Sequence, residues 1–144
     1  MRNGGEWGGG GLYSEDLSSP ALTDCLIVGN WGKHNGGGVD LLNSSPALTN
    51  CTIAGNVASG PGSGIYCNDS SPVLTNCIVW YNANDSIGLQ DSASSPQVSY
   101  SCIERKTSWP GTGNINTDPL FCGWTEPSVS VTNQSEFDNA LAGF

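Results

Sequence analysis

Four near-identical phrases recur along this chain: SSPALTDC at 18–25, SSPALTNC at 44–51, SSPVLTNC at 70–77 and SSPQVSYSC at 94–102. Their prolines, Pro20, Pro46, Pro72 and Pro96, lie 26, 26 and 24 residues apart. Cys25, Cys51, Cys77 and Cys102 lie 26, 26 and 25 apart. Two other landmarks keep phase: GLYS at 11–14, GVDL at 38–41, GIYC at 64–67 and GLQD at 88–91, and the asparagines Asn30, Asn56 and Asn82. Self-similarity at a fixed period of this length is the mark of a solenoid, in which each unit buries its apolar face only against its neighbours.

Within a unit the apolar period is 2. Val39 and Leu41 flank Asp40, and Leu48, Cys51 and Ile53 are separated by the polar Thr49 and Thr52. Leu22, Cys25, Ile27 and Leu74, Cys77, Val79 repeat that pattern. Short alternations bounded by turn residues predict short strands buried on one face. Each unit supplies about three of them, so the predicted fold is all-β: a right-handed parallel β-helix of about four rungs of 24–27 residues. Rungs stack at the strand spacing of ~4.8 Å, so equivalent residues stack on one another. The expected ladders are Cys25, Cys51, Cys77 and Cys102 inside, and Asn30, Asn56 and Asn82 at a turn, where side-chain amides hydrogen-bond along the axis.

Composition agrees. Of 144 residues, 20 are Gly, 19 Ser and 14 Asn, types that favour turns over helix interiors. Four basic residues face 13 acidic ones, a net charge of −9. Such a surface repels phosphate, which argues against nucleic acid as a partner. No apolar run approaches the ~18 residues of a membrane span, so no membrane insertion is expected.

A leucine-rich repeat is the rival architecture, because LxxCxIxxN at 22–30 and 48–56 fits its consensus. That consensus leaves about seventeen residues per unit unexplained, with no helical apolar spacing among them. The string GGGVDLLNSSPALTNCTIAGN (36–56) resembles the right-handed parallel β-helix repeats of the pectin-lyase-like superfamily. WPGTGNINTDPLF (109–121) is similar to the phrase that often closes such an array. The resemblance implies a secreted or cell-surface protein. It is weak for activity, since that superfamily holds lyases, hydrolases, adhesins and passive stalks.

Three regions are expected: a flexible Gly-rich leader at 1–10, the β-helix at 11–123, and an extension at 124–144. The first seven residues lack the apolar stretch of a secretory signal. In the extension, SVSVTNQSEFDNALAGF (128–144) reads as a strand, then Ser135 as N-cap of a short C-terminal helix with Phe137, Leu141 and Phe144 on one side. That helix is expected either to cap the last rung or to open another array of a longer protein. A rung cannot cover its own apolar end, so end-to-end self-association is expected.

The sequence offers little catalytic machinery. Six cysteines at this spacing match no zinc signature, and stacked Cβ atoms ~4.8 Å apart exceed the usual disulfide range, so buried thiols acting as small apolar residues are expected, with no metal and no cofactor. Asp40, Asp69 and Asp91 are the acids within reach of a glycosidase-type pair, but none recurs at one outward position of adjacent rungs. Lys33, Arg105 and Lys106 are the basic candidates for a lyase, and His34 stands alone in HNGGG; all four read as loop residues. The positions between the buried pairs of the first strand hold Tyr13, Asp40, Tyr66 and Gln90, an outward mixture of rings and hydrogen-bonding groups that suits a sugar. The functional expectation is therefore a structural or adhesive β-helix segment that touches polysaccharide. The alternative is a polysaccharide lyase or glycoside hydrolase, whole or in part.

Overall fold

The computed structural model describes residues 4–5 and 8–122. The predicted C-terminal helix and the extension that holds it lie outside the described residues. β1 (Gly4–Gly5) comes first. The first rung carries β2 (Leu12–Glu15), β3 (Ala21–Thr23), β4 (Leu26–Val28) and β5 (Trp31–Gly32). The second carries β6 (Val39–Leu42), β7 (Ala47–Thr49), β8 (Thr52–Ala54) and β9 (Val57–Ala58). The third holds β10 (Ile65–Asn68), β11 (Val73–Thr75) and β12 (Ile78–Trp80), and the fourth β13 (Ile87–Leu89), β14 (Gln97–Ser99) and β15 (Cys102–Ile103).

Like strands of successive rungs pair in parallel. The sheets run β2-β6-β10-β13, β3-β7-β11-β14 and β4-β8-β12-β15. A fourth, small sheet β1-β5-β9 adds a strand to the first and second rungs that the three-strand expectation did not contain. It forms just past the asparagine turn, where the alternation spans only two residues and leaves no readable period. Within the glycine-rich leader, Gly4 and Gly5 pair with Trp31 and Gly32.

The pleat sends alternate side chains inward. Val39, Leu41, Leu48, Ile53, Ile65, Leu74, Val79 and Ile103 are fully or almost fully buried in one continuous core. In the first rung the equivalent residues Leu12, Leu22, Cys25 and Ile27 are only partly buried. At the far end Trp109 packs on the core, and the segment after it stacks on the last rung: Thr112 and Ile115 accept from the Tyr100 and Ile103 N–H groups at 2.8 and 3.1 Å.

The rung is held by backbone special positions. Asp24, Asn50 and Asn76 adopt left-handed φ of 54–55° at one turn, where short polar side chains tolerate that region best. Their amides also bond up the axis, Asn50 to Asp24 and Asn76 to Asn50. The glycine before each first strand has a different reason. A Cβ on Gly38 would lie 2.6 Å from the Gly64 carbonyl and 2.9 Å from the Asn56 amide nitrogen, and Gly11 and Gly64 meet their own asparagines in the same way.

Two expectations about the fourth rung are corrected. Cys102 is not the next member of the cysteine ladder: Ile78 faces Cys102, so the residue beyond Cys77 is Ser101. The last repeat has one extra residue between proline and cysteine, and a shift of one turns a strand residue to the other side. Gln90 likewise leaves its expected column. Tyr66 faces Gly88, because the connection before β13 is shortened and Ile65 pairs with Ile87, 22 residues on. The bend after β13 restores a spacing of 24 at Val73 and Gln97.

Candidate functional site

The asparagine ladder is the best-satisfied polar feature. The Asn56 side-chain oxygen accepts from Asn30 N–H and Nδ2 at 2.9 and 3.0 Å. Its Nδ2 donates to Ile27 O at 2.9 Å and to Asn82 Oδ1 at 3.1 Å. Asn82 donates onward to Ile53 O and Trp80 O. All three asparagines are buried. In the fourth rung Glu104 takes over, accepting from the Tyr81 N–H at 2.6 Å. Tyr81 stands at φ 56°, the position that Gly29 and Gly55 hold in earlier rungs. These bonds are internal to the wall.

The thiols serve the same structural end. The Cys25, Cys51 and Cys77 sulfurs donate to the carbonyls of Thr23, Thr49 and Thr75 at 3.3, 3.3 and 3.4 Å. Ser101, the true fourth member, makes the equivalent bond to Ser99 O at 2.8 Å. A small residue with one weak donor is what the position needs, which explains why serine can follow three cysteines there. All six cysteines are free thiols. Burial pushes the Cys67 thiol up to about 12, and burial also raises Cys77 and Cys102. Such thiols are poor nucleophiles. Among the described residues no group of three His, Cys, Asp or Glu is placed to hold a metal.

The outward side of the sheet β2-β6-β10-β13 is different. Tyr13, Asp40 and Tyr66 occupy one column on successive rungs, in register with one another. Gly88 ends the column, and its bareness is required: a Cβ there would lie 2.6 Å from the Gly62 nitrogen. Gln90 sits two residues along, yet the Tyr66 hydroxyl donates to its side-chain oxygen; Tyr66 is buried, whereas Tyr13 is 41% exposed. The neighbouring outward column begins with Glu15, which the sequence reading missed; it accepts from the Tyr13 hydroxyl at 2.7 Å.

Asp40 is the unusual group. It is 8% exposed, beneath the turn at Gly36, where a Cβ would lie 2.5 Å from its own Cβ. No hydrogen bond reaches its carboxylate among the described residues, and burial alone raises its pKa to about 6. The phenols feel the same negative field. The bond to Glu15, then burial and the charges of Glu15, Asp40 and Asp16, raise Tyr13 to about 12. Burial, then Asp40 and Asp91, raise Tyr66.

The remaining candidates are scattered. Lys33, His34, Arg105 and Lys106 are exposed loop residues. Asp91 is committed to a turn, accepting from the Asp69, Ala93 and Ser94 N–H groups, and those bonds lower its pKa. Arg105 stacks over the Trp109 ring, 4.7 Å from its centroid. That pair borders a cleft of about 490 Å³ over the last rung, floored by Ile87, Leu89 and Pro96. The cleft is the open end of the core, since Leu89 occupies an inward position and is 45% exposed.

The family model for the right handed beta helix region matches residues 2–119. The chain belongs to this family, and its fold is accordingly a right-handed parallel β-helix. No curated protein and no solved structure gives a significant match. The resemblance to the pectin-lyase-like superfamily fits this membership.

Proposed function

We propose that this β-helix is a rigid structural or adhesive segment of a secreted or cell-surface protein, and that it contacts polysaccharide through the outward face carrying Tyr13, Asp40 and Tyr66. The observation that carries this reading is the column itself. Two tyrosines flank a carboxyl at one-rung intervals of ~4.8 Å, a length close to one pyranose unit of an extended glycan. The Tyr13 ring, 41% exposed, offers flat apolar area to a sugar, while Tyr66 lies buried beside the turn at Gly62, and the Asp40, Glu15 and Gln90 groups around them offer acceptors to its hydroxyls. Side chains on one face of an extended peptide recur every ~6.8 Å, a poorer match to the rungs. An immobilised-glycan screen of the whole chain, repeated with Tyr13→Ala at the exposed member of the column, tests the reading. Glycan retention that falls in the variant supports it; no retention of any glycan overturns it.

A second reading, a polysaccharide lyase or glycoside hydrolase, is favoured by one observation. A carboxyl titrating near 6 suits a general acid. Glu15, the outward acid at the Tyr13 end, would be its partner, and it is engaged by Tyr13. Release of reducing ends or of unsaturated uronate absorbance, abolished by Asp40→Asn, would establish this reading over the first.

A further inference from the structure

Resting on the glycan reading, we propose that the Tyr13–Asp40–Tyr66 column selects an ammonium-bearing sugar, the free amine of a 2-amino-2-deoxy unit in a de-N-acetylated polysaccharide.

The argument starts from Asp40. A buried carboxylate is retained where something compensates its charge. Asp40 is only 8% exposed, and among the described residues neither a hydrogen bond nor a nearby cation compensates it. Among the described residues the cations are Lys33, Arg105 and Lys106, and none of these acts on Asp40 strongly enough to lower its pKa. The carboxylate points to the outer side of the sheet, between the rungs of two tyrosines, and keeps a sliver of access to solvent.

The surroundings discriminate by charge. Glu15 and Asp16 add negative potential at the Tyr13 end, and Asp91 at the Tyr66 end. A uronate would meet repulsion from every side. A neutral sugar would meet acceptors without gaining from the charge. An ammonium group gains from the carboxylate and from the exposed Tyr13 ring, since cations are attracted to aromatic quadrupoles. The one-rung spacing favours a glycan over the lysine of an extended peptide, for the reason given above.

The test titrates the full chain, just above the pH at which Asp40 ionises, with four probes: a glucosamine oligomer, its N-acetylated counterpart, an oligogalacturonate and oligolysine. The expected result is binding of the amino oligomer at least tenfold tighter than of the N-acetylated one. That preference collapses to within about twofold in Asp40→Asn, whose far-UV circular dichroism matches the parent. A carboxyl NMR titration of the unmodified chain supplies a second readout, in which the amino oligomer lowers the Asp40 pKa. Equal affinity for the amino and N-acetyl oligomers overturns this inference and leaves the glycan reading standing. Tighter binding of oligogalacturonate overturns it in the same way. Binding of oligolysine without either glucosamine oligomer overturns it in favour of a protein partner. No binding of any glycan, with no shift at Asp40, overturns both readings.

Discussion

Replacing Asn56 by Ala should be the most damaging single change on the asparagine turn. Its side chain makes four hydrogen bonds, two accepted from Asn30 and two donated, to Ile27 O and Asn82 Oδ1. The site is wholly buried, so water cannot replace them. Removal strands the Asn30 N–H, one Asn30 amide hydrogen and the Ile27 carbonyl, while Asn82 Oδ1 keeps the Asn56 backbone N–H. At roughly 1–1.5 kcal/mol for each stranded buried group, the loss is about 3–5 kcal/mol, a large part of a typical domain's stability. Asn30→Ala is the internal control. Its side chain donates one bond within the ladder, so it should cost about 1 kcal/mol. Urea unfolding followed by tryptophan fluorescence and circular dichroism would give both values, with midpoints compared directly because a solenoid need not unfold in two states. Equal losses for Asn56→Ala and Asn30→Ala would refute the ladder as a source of stability.

Gly38→Ala should lower the melting temperature by several degrees in a calorimetric scan, because the added Cβ meets the Gly64 backbone carbonyl and the Asn56 side-chain amide, which its hydrogen bonds hold in place. An unchanged melting temperature would show that the rung spacing relaxes freely. Cys51→Ser should be tolerated within about 1 kcal/mol in denaturant titration, since a hydroxyl can keep the bond to Thr49 O as Ser101 does with Ser99 O. Cys51→Asp should cost more than about 3 kcal/mol by burying an unpaired charge in the core; a mild effect would mean that the column is not dry. Asp40 should make the fold less stable as pH rises. Its folded pKa of about 6 lies above the ordinary carboxylate value, so its stabilising contribution is complete below about pH 4 and is lost as pH passes 6. The loss is roughly 2–3 kcal/mol, and thermal melts of Asp40→Asn should lack that slope.

The solenoid was legible because stacking turns sequence period into spatial register. Pro20, Pro46 and Pro72 repeat at a constant 26, and their rungs pair as that spacing demands. The fourth rung resisted for the same reason. Its shortening by four residues before β13 is half recovered by the two regained after it, so GLQD seemed aligned with GIYC while Ser86 in fact replaces Gly64 and Gly88 replaces Tyr66. Strand residues alternate sides, so a slip of one misplaces a side chain entirely, as Cys102 shows. The outward column Tyr13, Asp40 and Tyr66 followed from alternation alone. What alternation could not convey is the burial of Asp40. That depends on the turn at Gly36, which folds over an outward residue through glycines whose closeness no period records. Glu15 escaped notice because its link to Tyr13 is made between side chains two apart on one strand, a pair with no repeat in later rungs.

The most direct test of the site is a carboxyl-carbon NMR titration of Asp40 in the whole chain, assigned by comparison with Asp40→Asn. Burial without a partner predicts a midpoint of about 6, far above the midpoint of Asp91, whose turn hydrogen bonds hold it below the ordinary carboxylate range. A midpoint near that of an ordinary exposed aspartate would contradict the account, for it would mean that Asp40 is solvated or already paired and that the column holds no uncompensated charge.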